Sequence, residues 1–413
     1  MELNFYATLV SCVAVLLFGR FIIKRVDVLY RFSIPVPVVG GIIVAIILLI
    51  LKAKFDISIK FDESIKEPLM LAFFTSIGLS ADFSSLKKGG KILVIFLILV
   101  SIDLFLQNII GISIATILGV NPLLGLLGGS VTMVGGHGTG AAWGDIFFKQ
   151  YGFTQAKDVA MACATFGLVM GGIIGGPVAR YLIKKNNLKP EIKENKDYEV
   201  KETDYKDESL IFEMPKKEKL ITAESFVESL ALIAISLLIG TQLYTFAKGT
   251  LFELPNFVWC LFLGVIIRNG IQALKIHKVF DREVSVIGNV SLSLFLALAL
   301  MTINLIDLVS LAVPILVILS VQVVLMALFA IFVTFRFMGR DYDAAVLSAG
   351  HCGFGLGAMP TCIVNMQTIT QHYGPSHMAF IIAPLVGAFF VDLVNAIAIK
   401  LFLMLPMFNV IAF

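Results

Sequence analysis

Gly-Gly-His-Gly-Thr-Gly-Ala-Ala at residues 135–142 and Gly-His-Cys-Gly-Phe-Gly-Leu-Gly-Ala at residues 350–358 interrupt long apolar sequence about 214 residues apart. Neither stretch suits a lipid-facing helix. Non-helical backbone at membrane depth persists only where protein or a water-filled cavity satisfies its polar groups. One such break in each half of a chain is the pattern of a secondary transporter whose site lies between two repeats.

Working outward, the rest of the 413 residues is membrane-grade: 58% are hydrophobic, 15% are charged and the mean hydropathy is +0.93. A soluble protein of this length needs far more charge to cover its surface. Apolar runs of about 18 residues or more recur throughout, long enough to cross a bilayer core. The chain is an all-α polytopic membrane protein. Its net charge of +3 reflects loop arginines and lysines, which report orientation, and no nucleic-acid partner is expected. The N-terminal Met1–Arg20 lacks a basic start, carries Glu2 before its apolar run and a positive charge after it. It therefore fits a first span with the N-terminus outside better than a cleaved signal peptide. The five cysteines, Cys12, Cys163, Cys260, Cys352 and Cys362, sit in apolar or Gly-rich sequence without CxxC spacing and fit packing roles.

About 20 of the charged residues fall within 184–219, a composition that cannot bury enough surface to fold and reads as a flexible linker. It divides the chain into an N-terminal repeat (1–183) and a C-terminal repeat (220–413). Gly19 aligns with Gly240, Ser33-Ile-Pro with Glu253-Leu-Pro, and Tyr151-Gly-Phe-Thr with Tyr373-Gly-Pro-Ser, all about 220 residues apart. Gln107 and Gln322 lie about 215 apart, close to the offset of the glycine clusters. Five spans are expected in each half, near 5–24, 34–51, 67–81, 91–119 and 157–183, then 221–247, 253–270, 284–303, 309–338 and 376–405. Each glycine cluster falls between a fourth and a fifth span, where a re-entrant loop is expected. Basic loops after the odd-numbered spans (Arg20, Lys24, Arg25 and Arg31; Lys87, Lys88 and Lys91; Arg180, Lys184 and Lys185; Arg268, Lys275, Lys278 and Arg282; Arg336 and Arg340) put those loops and the linker in the cytoplasm and both termini outside. An odd number of spans per half inverts the second repeat relative to the first.

The chemistry is expected at the glycine clusters. Glycine lets main chain approach a ligand and adopt positive φ. Broken helices aim partial positive charge at a carboxylate, and freed carbonyls coordinate sodium. Thr139 adds a hydroxyl, while His137 and His351 add ring nitrogens; close helix packing through glycine is the alternative. No Lys-Ser/Thr follows either cluster, which excludes a phosphate loop, and neither histidine has a partner at metal spacing. Asp392 and Asn395 lie three apart on one helical face, and Asp392 places an ionisable group at depth. Asp392 suits a substrate ammonium, a sodium ion or a buried structural hydrogen bond. Asp103, Gln107 and Asn108 form a second polar cluster. Thr75 and Ser76, with Asn289, Ser291 and Ser293, offer oxygens that suit sodium or hydrogen bonds between helices. Arg180 is expected to snorkel to the cytoplasmic interface.

Pro68-Leu-Met-Leu-Ala-Phe-Phe, Gly135-Gly-His-Gly-Thr-Gly-Ala-Ala-Trp, Ala160-Met-Ala-Cys-Ala-Thr-Phe-Gly-Leu-Val, Gly175-Gly-Pro-Val-Ala-Arg-Tyr, Gly288-Asn-Val-Ser-Leu-Ser-Leu-Phe-Leu and Gly350-His-Cys-Gly-Phe-Gly-Leu-Gly-Ala closely resemble the bacterial sodium/glutamate symporters. The resemblance covers essentially the whole chain and is weakest in the charged tract. It implies ten transmembrane helices in two inverted repeats, two re-entrant loops, an elevator-type transport domain and a homodimer in the inner membrane. It also implies sodium-coupled uptake of L-glutamate, with sodium as the coupling ion and no other cofactor. Substrate binding is carried onto Gly136, His137, Gly138, Thr139, Gly353, Gly355 and Gly357. Asp392 joins that set on chemical grounds, and Thr75, Gln107, Asn289, Ser291, Ser293 and Asn395 are the sodium candidates. A different carboxylate, proton coupling or a channel are the competing readings. An intramembrane enzyme lacks a nucleophile–base pair or a metal motif to support it.

Overall fold

A computed structural model of the chain describes residues 2–31, 34–190, 221–250, 254–303 and 309–409. It is helical almost throughout; the β-type pairing among the described residues is one isolated bridge between Glu2 and Lys60. Most of the charged tract (191–220) lies outside the described residues, while 184–186 form the last turn of a long helix.

The N-terminal half runs through α1 (Phe5–Ile23), α2 (Val36–Phe55), α3 (Lys66–Ser80), α4 (Ser84–Ile117), a short α5 (Pro122–Leu126), α6 (Gly136–Tyr151) and α7 (Ala156–Asn186). The C-terminal half runs through α8 (Ala223–Ala247), α9 (Asn256–Leu274), α10 (Asp281–Met301), α11 (Ala312–Phe329), α12 (Tyr342–Leu356), α13 (Met359–Tyr373), α14 (His377–Leu385) and α15 (Val391–Leu403). Local chemistry sets these limits. Pro35 and Pro255 precede α2 and α9, where a fixed φ and missing N–H cost nothing. Asn4, Asn121 and Asp341 accept hydrogen bonds from first-turn amides of α1, α5 and α12. Asp56, Gly152 and Asn187 end α2, α6 and α7 in the left-handed conformation.

Among the described residues, 8 helices are long and apolar enough to cross a membrane: α1, α2, α4 from Gly90 onward, α7, α8, α9, α10, and α11 extended to Phe337. The other two expected spans fall on irregular elements. α3 has 15 residues, about 22 Å at 1.5 Å per residue, against a core of about 30 Å. α14 and α15 are joined through a π-helical turn, Val386–Phe390, and α14 carries Pro384.

These helices form two bodies. In the first, α3 packs between α9 and α10, α2 packs on α1 and α10, and α8 packs on α9. Close approach is set by small residues: a Cβ on Gly19 would strike Val36 O, and one on Gly78 would strike Leu261 O. In the second, α4, α7, α11, α14 and α15 surround α5, α6, α12 and α13. Here Gly167, Gly171 and Gly175, four apart on α7, let α12 and α13 lie against it; added Cβ atoms would meet Leu356 O and Gly353 O of α12 and Asn365 Nδ2 of α13. The two bodies meet mainly where α6 touches α10, where α3 touches the Val386–Phe390 turn, and where α9 touches α15. That seam is apolar at Trp143–Phe257 and Phe83–Phe390 and ionic at Lys66–Asp145, 3.5 Å.

Candidate functional site

Both glycine clusters lie in helical hairpins, one between α4 and α7 and the other between α11 and α14, but most of their glycines are helical. The chain breaks at Gly136, with φ of 61°, and at Gly357-Ala358, where φ and ψ are −145° and −94°, then −161° and 164°. Gly136 adopts a backbone that side chains disfavour, and Met359-Pro360 restarts helix after the second break. His137–Ala142 follow the first break within α6, whereas Gly350–Leu356 precede the second within α12. The sequence reading of whole clusters as turns therefore holds only at these tips. Lack of bulk is what the other positions supply: a Cβ on Gly138 would lie 2.7 Å from Phe73 and 3.3 Å from Leu292, and one on Gly353 would lie 2.5 Å from Cys362 N.

The two tips meet. A Cβ on Gly136 would lie 3.2 Å from Gly357 O, so backbone faces backbone there.

Behind each tip, side chains satisfy the groups that the breaks release. In the first hairpin, Gly129 leaves helical geometry (φ −98°, ψ −143°) within a π-helical turn, Leu127–Val131. Asn108 Oδ1 on α4 accepts the freed Ser130 N–H at 2.9 Å. Asn395 on α15 pairs twice with Ser130, accepting from Oγ at 2.7 Å and donating Nδ2 to the carbonyl at 3.0 Å. In the second hairpin, Gln107 Nε2 donates to Gly355 O at 2.9 Å and to Asp103 Oδ2 at 3.0 Å. Gln322 Nε2 on α11 donates to Gln107 O at 2.7 Å, so the two glutamines paired by sequence are in contact. His351 Nδ1 meets Thr334 Oγ1 at 2.9 Å, and its Nε2 lies 3.8 Å from Asp103 Oδ2. Asn365 on α13 donates to Gly171 O at 2.9 Å, clamping the second arm to α7.

The remaining expected residues scatter. His137 Nε2 lies 3.0 Å from Thr165 Oγ1 on α7, and Thr139 is buried one turn past the tip. Asp392 is half-buried, one turn before Asn395. Thr75 and Ser291 are buried along the α3–α10 pair, and the Thr75 hydroxyl is used by Leu71 O. Asn289 is exposed and bonds Ser285, and Ser293 bonds Asn289 O. The structure thus brings Gly136, Gly355, Gly357, Gln107 and Asn395 into one region and leaves Asn289 and Ser293 outside it. Ser130, Thr165, Thr334 and Asn365 were not singled out from sequence. Their signal there is a lone polar residue in an apolar run, which hydroxyls bonded within their own helix share.

At the end of the seam where α3 begins, a cavity of about 300 Å³ is lined by Lys66, Glu67, Ala142, Asp145, Lys149 and Phe257 among others. Asp145 there also pairs with Lys149 at 2.7 Å and with Lys157 at 2.8 Å.

Residues 1–375 match the family described as Sodium/glutamate symporter. The chain is 55% identical over 407 residues to the Sodium/glutamate symporter of Escherichia coli (strain K12), covering 98% of this chain and 99% of that protein. It is 53% identical over 395 residues to the Sodium/glutamate symporter of Haemophilus influenzae, covering 96% of each.

Proposed function

The chain belongs to the sodium/glutamate symporter family, and from that premise we propose how its two hairpins carry the substrate. The protein is a secondary transporter, not an enzyme, and takes up glutamate with sodium. Glutamate alone carries a net negative charge inward against about 2.3 kcal/mol per 100 mV. One sodium cancels that charge and leaves about 1.4 kcal/mol from a tenfold gradient. Each further sodium adds roughly 3.7 kcal/mol at 100 mV, so concentrative uptake favours more than one.

The proposal is alternating access by an elevator of ten spans in two inverted repeats, 1–183 and 220–413, joined by the cytoplasmic tract 184–219. Element positions support it: Pro35 and Pro255 open α2 and α9, and Asn121 and Asp341 open the hairpins. Contacts repeat as well. Gly19 packs on Gly40 as Gly240 packs on Cys260, and Gly41 meets Leu300 as Leu261 meets Gly78, each about 220 residues on. The tips Gly136 and Gly357 keep that offset, closer than the clusters' 214. In this reading the body of α1, α2, α3, α8, α9 and α10 is the static scaffold in a homodimer of the bacterial inner membrane. The hairpin body moves against it. Both termini face outward, the first hairpin enters from outside and the second from the cytoplasm.

Substrate is proposed to lie at the tips, on the main chain of Gly136–Thr139 and Gly353–Gly357, with His137 and Asp392 alongside. Gln107 and Asn395 are proposed at the sodium sites. Thr75, Ser291, Asn289 and Ser293, on the helix pair that flanks Gly138, form a second sodium set to be separated by substitution. One observation carries the reading: Gly136 and Gly357 meet backbone to backbone. Uptake of labelled glutamate into vesicles tests it, with an inward sodium gradient compared against an equal potassium gradient. Equal uptake in both would sink sodium coupling. Competition by aspartate or citrate at glutamate's own concentration would change the passenger.

A further inference from the structure

Five buried polar atoms without a hydrogen-bond partner concentrate around one turn of α4: Asp103 Oδ1, Gln107 Oε1, Asn108 Nδ2, Gln322 Oε1 and His351 Nε2. Elsewhere such atoms are isolated, on Trp143, Trp259, Thr361 and the ion-paired Asp145. Buried polar groups are ordinarily satisfied, so a cluster of orphans needs its own explanation. Asp103 and Gln107 stand one turn apart on α4, and His351 and Gly355 face them one turn apart on α12. Asp103 is 1% exposed, Gln107 and Gln322 are 0% exposed.

The sign of the orphans is informative. Gln107 Nε2 donates to two acceptors, Asp103 Oδ2 and Gly355 O, which fixes the amide and leaves Oε1 unpaired. Gln322 Nε2 is likewise committed to Gln107 O. On Asp103 and the two glutamines the unused atoms are therefore all acceptor oxygens, one of them on a carboxylate. The free donor Asn108 Nδ2 belongs to the side chain that holds the first hairpin at Ser130. No lysine or arginine pairs with Asp103 among the described residues. Its charged-type neighbour is His351, ringed by Phe96, Phe329 and Phe354. A carboxylate this deep is expensive unless a counter-charge reaches it. Orphan acceptors call for a cation, and orphan donors would have called for an anion. Carboxylate and amide oxygens suit a hard ion. No group of three or more His, Cys, Asp or Glu converges among the described residues, which disfavours a transition metal.

We propose that Asp103 supplies the negative charge of a coupling-sodium site, with Gln107 Oε1 and Gln322 Oε1 as neutral ligands, beneath the second hairpin. This rests on the sodium-coupled reading above and names residues for it. The site also explains coupling. Gln107 holds Gly355 O, two residues from the tip at Gly357, so an ion that orders the Gln107 side chain orders the hairpin that closes on glutamate. Ion and substrate then favour each other's binding reciprocally.

Purified protein in lipid nanodiscs provides the test. Thermal stability is titrated with sodium chloride against choline chloride at constant ionic strength, and the apparent KM for sodium is read from glutamate uptake in proteoliposomes. Sodium should raise the Tm of the unsubstituted protein. Asp103→Asn should raise the half-saturating sodium at least tenfold in both readouts. Gln322→Leu should raise it about threefold to tenfold, and Ser113→Ala, on the same helix, should leave it unchanged. An unchanged sodium midpoint in Asp103→Asn overturns the proposal. If that variant cannot be purified, an unchanged midpoint in Gln322→Leu overturns it equally. Loss of pH dependence at an unchanged sodium midpoint would make Asp103 a proton site and also overturn it. Uptake by the unsubstituted protein that ignores sodium would instead defeat the functional reading itself.

Discussion

The two bodies are made of the same apolar helices, yet they spend their buried polar groups differently. In the first, Thr75, Ser229 and Ser236 return their hydroxyls to carbonyls of their own helices. Its cross-helix polar bonds lie at helix ends, as in Ser225–Glu283 and Arg268–Asp281. In the second, hydroxyls such as that of Ser348 also bond locally, but further polar bonds at the buried centre run between elements: Gln107 to Gly355, Gln322 to Gln107, Ser130 to Asn395 and Asn365 to Gly171. A helix needs no partner to satisfy its own backbone, but a broken hairpin does. Cross-element bonds thus hold the interrupted hairpins in place, which the uninterrupted helices of the first body do not require.

The sharpest way to break this comparison is at the tips. Gly136→Val places a β-branched side chain at positive φ against Gly357 O. It should lower glutamate uptake at least 100-fold with membrane expression retained. Uptake within tenfold of the unsubstituted protein would mean that the tips do not gate the substrate. Next comes Asn395→Leu, which strands the Ser130 hydroxyl and carbonyl. Unsatisfied buried groups cost about 1–3 kcal/mol each, so thermal stability should fall and uptake should drop about tenfold. A packing change in the first body should behave otherwise. Gly78→Leu, whose Cβ would strike Leu261 O, should destabilise by about 1–3 kcal/mol through overpacking while the KM values for glutamate and sodium stay put. A shifted KM there would erase the distinction between the bodies.

Sequence carried the helices well, because their limits are local. Pro35, Pro255, Asn121 and Asp341 place element starts wherever the chain goes in three dimensions. It carried the position of the hairpins too, since glycine and polarity at depth admit few other structures. What it misplaced is the break within each cluster. Glycine serves both to turn the chain and to thin a helix, and composition does not separate the two uses. What it left out is pairing. Asn395 and Ser130 stand 265 residues apart, and nothing in either segment names the other. Asp103, Gln107 and Asn108 were visible as a cluster on one helix, but their partners on α5–α6, α11 and α12 emerge only when the hairpins fold against α4. Asn289 and Ser293 show the converse: oxygens of suitable chemistry on side chains whose hydrogen bonds stay within their own helix, α10.

The smallest effect should arise at the seam itself, where Lys66 of the first body lies 3.5 Å from Asp145 of the second. Lys66 has 11% of its side chain exposed, and Asp145 has 19%. Asp145 keeps Lys149 and Lys157 on its own side of the seam, so removing Lys66 does not leave it unpaired. Partly exposed ion pairs contribute about 0–1 kcal/mol, which corresponds to a factor of up to about 5 in an equilibrium between docked and displaced states. Lys66→Met should therefore change the maximal uptake rate about twofold to fivefold, with little change in Tm. Because the pair borders an open cavity of about 300 Å³, raising ionic strength with choline chloride at fixed sodium should move the unsubstituted protein toward the variant's rate. An equal salt response in both would show that this ion pair does not hold the two bodies together during transport, and the seam would then rest on its apolar contacts alone.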